Sequence, residues 1–104
     1  MGTVEDIKPY FPAKSILMMG EEAMVDRAAQ RDDDKSSERS MAACVEAFNA
    51  IYGTHMTETQ GWMFMVFLKA ARARQGDFQV DDFIDGAAYF ALAGESASKE
   101  NNTF

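Results

Sequence analysis

Asp82 and Asp85, two carboxylates three residues apart, are the side chains in this chain whose spacing most directly suggests chemistry. On a helix that spacing puts both on one side, where they can hold a divalent cation between them. Together with Asp81 they also suit the first turn of a helix, whose exposed N–H groups attract negative charge. Both readings stay open. Glu21 and Glu22 would add carboxylates if their helix faced that of Asp82, and are otherwise ordinary solvated residues. Lys69 and Arg72 form a basic spot, fit either for a phosphate or partner carboxylate or for the negative end of a helix dipole.

Composition removes other chemistries. With one cysteine, Cys44, and one histidine, His55, the chain can form no internal disulfide and no Cys- or His-based metal centre. Hard ions such as Mg²⁺ held by carboxylates are what remain. Cys44 sits among alanines with no base at an activating spacing, so a buried, inert thiol is expected. A net charge of −7 disfavours nucleic acid, because phosphate binding draws its energy from Lys and Arg. It suits solubility or a basic partner. Asp32, Asp33 and Asp34 read as a solvated connector before they read as a phosphate mimic.

The longest apolar run, Trp62 to Leu68, is far short of the roughly 20 residues that cross a bilayer. The opening residues carry no signal-like pattern, so a cytoplasmic protein without membrane attachment is expected.

Helices must position these groups. In 104 residues, 47% of them apolar, one core can form and two cannot. Pro9 and Pro12 around Tyr10 and Phe11 predict an extended arm over residues 1–13. Leu17, Met24 and Ala28 recur at helical spacing and predict a first helix from about Lys14 to Arg31. Ser36 or Ser37 can cap a second helix through Met41, Val45, Phe48 and Tyr52, stopped by Gly53. Thr57 and Gln60 fit a capping box for a third helix that ends at Gln75 and Gly76. Asp81 is placed to cap a fourth, rich in Gly and Ala, reaching about Gly94.

The expected architecture is an all-α, antiparallel four-helix bundle over residues 14–95, followed by a flexible tail over 96–104. Between Trp62 and Leu68 the third helix is apolar all round, which calls for neighbours on every side and favours a homodimer. Trp62, Met63, Phe64 and Phe67, with Tyr10 and Phe11 of the arm, are the interface candidates. The methionines Met18, Met19, Met24, Met41, Met56, Met63 and Met65 are read as irregular core filling.

The sequence from Ala50 to Glu95, above all Phe67-Leu68-Lys69-Ala70-Ala71-Arg72 and Asp82-Phe83-Ile84-Asp85-Gly86-Ala87-Ala88-Tyr89, resembles a small domain-of-unknown-function family of tailed phages and prophages. That family in turn resembles the MazG-like all-helical nucleotide pyrophosphohydrolases, whose acidic helices hold Mg²⁺ against a triphosphate. The resemblance implies a MazG-like fold, with Asp82, Asp85, Glu21 and Glu22 as metal ligands and Lys69 and Arg72 facing phosphate. Val25 stands where the pattern has a third carboxylate, Gln60 stands where the phage family usually shows Asp, and Asp-Asp-Asp-Lys replaces a Tyr-Gly turn.

Losing ligands from a site made of a few carboxylates weakens it severely. The leading expectation is therefore a phage-type protein on a MazG-like scaffold, binding a host or defence protein in the host cytoplasm without catalysis and without a cofactor. The alternative is a Mg²⁺-dependent nucleoside triphosphate pyrophosphohydrolase using the residues just named.

Overall fold

The computed structural model describes residues 10–30 and 40–101. Four helices and no strand occur among them: α1 (Ala13–Gln30), α2 (Ser40–Tyr52), α3 (Glu58–Ala73) and α4 (Val80–Asn101). The fold is all-helical, with the helices packed against one another. None is long and apolar enough to cross a membrane. The expected caps Ser36 and Ser37 and the acidic connector at Asp32 to Asp34 lie outside the described residues, as do Arg31 and the start of the arm.

The third helix begins where its sequence says. Thr57 accepts from the Gln60 backbone N–H at 3.1 Å, and Gln60 Oε1 accepts from the Thr57 N–H at 2.9 Å. Two of the donors left open by a helix start are thereby satisfied. Arg74 closes the helix and Gly76 follows at φ 70°, a left-handed turn that costs glycine little. Gly53, at φ 66°, ends α2 in the same way. Between them Asn49 ties the α2–α3 corner, its amide donating to the Met56 carbonyl and accepting from the Met56 N–H, each at 2.9 Å.

Helix α4 differs from expectation at both ends. It starts at Val80, one residue before the expected cap Asp81, and runs through the expected stop at Gly94 to Asn101. The segment from Ser96 expected to be a loose tail is thus helical to Asn101. Packing outweighs the roughly 1 kcal/mol that an interior glycine costs. Ala93 and Ser96 on either side of Gly94 are buried, and the Ser96 hydroxyl shares a 2.7 Å hydrogen bond with Thr59 of α3. On the outer side Lys99 pairs with Glu95 one turn back at 3.5 Å.

The hairpin of α3 and α4 is the centre of the molecule. Thr59 meets Ser96, Trp62 stacks on Tyr89 at 5.8 Å, and Lys69 meets Asp85. Numbers rise on one helix as they fall on the other, so the pair is antiparallel. Its core is Trp62, Leu92 and Ala93, with Met24, Met41, Met63 and Tyr89 packed around them. The small residues of α4 allow the close approach expected of them, Ala88 being 1% exposed.

Each outer helix has one neighbour among the described residues: α1 packs on α4, α2 packs on α3, and α1 and α2 do not touch. Gly20 makes the first contact, since a Cβ there would lie 3.3 Å from the Ile84 carbonyl oxygen. Gly61 makes the second, where a Cβ would fall 2.8 Å from Val45 Cγ2 and 2.5 Å from Met41 Sδ. Among the described residues, then, no contact joins α1 to α2.

Several burial expectations are corrected. Cys44 is exposed, because it lies off the Met41–Val45 line that meets α3. Met18 is 53% exposed, as it points away from the α1–α4 contact. Helix α3, expected to have other helices or a second subunit on every side, leaves Phe64 and Phe67 62% and 63% exposed within the single chain. The Phe11 ring reaches Phe78 at 6.4 Å, while Tyr10 remains in solvent.

Candidate functional site

The antiparallel hairpin sets the geometry of the charged residues. Lys69 and Arg72 lie three apart on the side of α3 turned to α4, and Asp82 and Asp85 lie three apart on the opposing side of α4. Equal spacing on antiparallel helices makes two rungs. Lys69 Nζ is 3.1 Å from Asp85 Oδ2, and Arg72 Nε is 3.7 Å from Asp82 Oδ1.

The rungs differ in character. Lys69 and Asp85 are both largely covered, their side chains 14% and 23% exposed. Their contact is a close, charge-assisted one between groups with limited access to water. Asp82 is 8% exposed but faces an arginine that is 61% exposed, so that rung is long and screened. Asp82 also sits in the first turn of α4, its N–H donating to the Gln79 carbonyl at 3.1 Å. The helix end is a second source of stabilisation for its charge.

This arrangement does not fit the Mg²⁺ site that the MazG-like resemblance implies. Each of the two central carboxylates is opposed by a cation of the same chain. Glu21 and Glu22 are exposed on α1, next to the glycine that touches α4 but turned from that contact. Among the described residues no three of His, Cys, Asp and Glu come together as a metal-holding group. Of the two residues expected to face phosphate, Lys69 is committed to Asp85, and Arg72 alone extends well into water.

Beside the rungs lies a feature that the charge pattern did not reveal. A groove of about 270 Å³ runs between α3 and α4, with Val66, Ala70 and Ala73 on one wall and Phe83, Gly86 and Phe90 on the other. Lys69 and Asp82 border it. Its signal in the sequence is the line of Phe83, Ala87 and Phe90 on α4, facing a matching four-and-three spacing at Val66, Ala70 and Ala73 on α3. Phe83 and Phe90 are 45% and 60% exposed, and Phe83 stacks on Phe78 at 5.8 Å. The interface candidates separate: Trp62 is in the core, Met63 and Phe11 are half-buried, and Phe64, Phe67 and Tyr10 are exposed.

The profile of a family described as Domain of unknown function (DUF6378) matches residues 15–97, which span all four helices and the site. The chain belongs to the DUF6378 family. No match is found among curated proteins or among solved structures. The DUF6378 segment begins just inside α1 and ends just after the Ser96–Thr59 contact, so the unit it marks includes Ser96 but not the last four residues of α4.

Proposed function

We propose that this chain is a non-catalytic binding protein on a MazG-like scaffold, acting as a homodimer that presents the α3–α4 groove to a protein partner. The observation that carries this reading is the pairing of Asp85 with Lys69 at 3.1 Å. A carboxylate held by an ammonium group of its own chain is a structural tie, and using it as a metal ligand would require breaking that tie. The groove beside it is apolar, bordered by charge and lined by exposed aromatic rings, which is the pattern of a helix-binding surface.

The partner's chemistry follows from the groove. A helix with apolar side chains at three- and four-residue spacing would fill the space between Phe83 and Phe90, and the chain's net charge of −7 favours a basic partner at encounter. The phage-family resemblance supports a host or defence protein in the host cytoplasm as that partner. No cofactor is part of this reading.

One assay separates it from a pyrophosphohydrolase. The purified chain is incubated with Mg²⁺ and each nucleoside triphosphate, and pyrophosphate release is followed. No turnover is expected, and Asp85→Ala should change only stability. Turnover that Asp85→Ala abolishes in a folded protein would overturn the proposal.

A further inference from the structure

The side of the α2–α3 hairpin turned from α4 is exposed and largely apolar, with Gln60 and Arg74 at its two ends. On α2, Cys44, Ala47, Phe48 and Ile51 recur at three- and four-residue spacing, off the line that meets α3. On α3, Phe64, Phe67 and Ala71 do the same, off the line that meets α4. Met41 and Val45 both lie against Gly61, and Asn49 bonds Met56, so these two helices are antiparallel. In an antiparallel pair the two stripes fall on one flank.

We infer that this flank is the homodimer interface, closed by the same flank of a second copy to form a four-helix layer of two hairpins. The inference deepens the proposed function and rests on its claim of self-association, while leaving the α3–α4 groove open for the partner. Three observations select a second copy as the occupant.

The first is area. On the stripes Ile51, Phe64 and Phe67 are 73%, 62% and 63% exposed and Phe48 is 39% exposed, and Tyr52 and Leu68, 68% and 40% exposed, border them along the α2–α3 seam. With aromatic side chains carrying roughly 150–250 Å² each, the exposed parts of these six offer on the order of 700 Å². A stable complex takes about 800 Å² from each partner.

The second is charge. A chain at −7 repels its own copy wherever acidic groups meet, but neither stripe contains a carboxylate; their ionisable groups are the Cys44 thiol and, at the end of the α3 stripe, Arg74. Glu46 projects from the other side of α2, and Lys69 and Arg72 are turned to α4. Two copies meeting here juxtapose no carboxylates, and a basic partner would find none to pair with.

The third is the shortage of core within one chain. Among the described residues the buried apolar side chains are Val45, Trp62, Ala88, Leu92 and Ala93, with no large side chain fully buried. Val45 is the sole contribution of α2. A second hairpin would give α2 a second packing surface, and self-complementary closure about a two-fold axis is the commonest oligomer geometry.

The test is sedimentation equilibrium on the full chain across a concentration series, alongside Cys44 labelling by a bulky maleimide. A wild-type dimer is expected, with labelling that slows as the protein concentration rises. Ile51→Glu and Phe64→Glu, both at sites already more than half exposed, should each weaken the dimer by about 30-fold or more. Val25→Glu, at an exposed site on α1, should leave it unchanged. Circular dichroism establishes that each variant is helical, and the labelling of unaltered wild type reads the same face without any substitution. A wild-type dimer that survives both glutamates and labels freely would overturn this interface while leaving self-association intact. A wild-type monomer at every concentration would overturn both. Failure of the groove proposal would show separately, in partner binding that is indifferent to Phe90→Glu.

Discussion

At the scale of single residues, the decisive contact is the one between Lys69 and Asp85. Lys69→Ala strands a largely covered carboxylate, and a destabilisation of about 1–3 kcal/mol is expected in urea denaturation. Exchanging the two, with Lys69→Asp and Asp85→Lys together, should recover a good part of that loss. Recovery would identify the pair as a structural tie. The glycines give a second prediction, with opposite signs at two sites. Gly61→Ala drives a methyl group into Val45 and Met41 and should lower stability by about 1–3 kcal/mol despite better helix propensity. At Gly86 an added Cβ would have Lys69 Cβ as its nearest neighbour, at 3.7 Å, an ordinary contact. Gly86→Ala should therefore stabilise by up to about 1 kcal/mol. Of the candidate site, the four charged residues were legible in the sequence by spacing alone. Their mutual pairing was not, because it depends on the register between α3 and α4, which spacing within one helix cannot set.

At the scale of elements, the boundaries written in local chemistry were legible: the Thr57–Gln60 box, and the glycine stops at Gly53 and Gly76. The α4 terminus was not. Its continuation past Gly94 depends on Ser96 reaching Thr59 thirty-seven residues away, and no local pattern reports such a contact. The same limit explains Cys44. An alanine-rich setting is compatible with burial, yet among the described residues α2 packs on α3 alone and Cys44 lies off that contact. The α4 extension gives a third prediction. Deleting the chain after Gly94 removes the Ser96 contact and the Glu95–Lys99 pair, and should lower the thermal midpoint by several degrees for each ~1 kcal/mol lost. Ser96→Ala alone, leaving Thr59 half-covered, should account for about 1 kcal/mol of that. A truncated chain as stable as the full one would show that the last two turns of α4 contribute nothing to the hairpin.

At the scale of the whole molecule, the all-helical class and the number of helices followed from apolar spacing, since periodicity reports which side of each helix is buried. How those sides are shared out did not follow. The periodicity predicts an antiparallel bundle without saying which helices meet, and among the described residues α1 and α2 make no contact. Folding in such a molecule couples to concentration if a second copy completes it. The fourth prediction is that the thermal midpoint rises with protein concentration for wild type and loses that dependence in Phe64→Glu. A midpoint independent of concentration in both would mean that one chain holds the fold alone.

The close crossing at Gly20 governs the order in which the molecule assembles. The contacts that join α2 to α3 and α3 to α4 span short loops, whereas seating Gly20 on Ile84 and Ala88 closes a loop of about 64 residues, at a correspondingly larger entropic cost. That makes α1 the last helix to arrive during folding. Amide protons on α1 should accordingly exchange with solvent sooner than those at the centre of the α3–α4 hairpin.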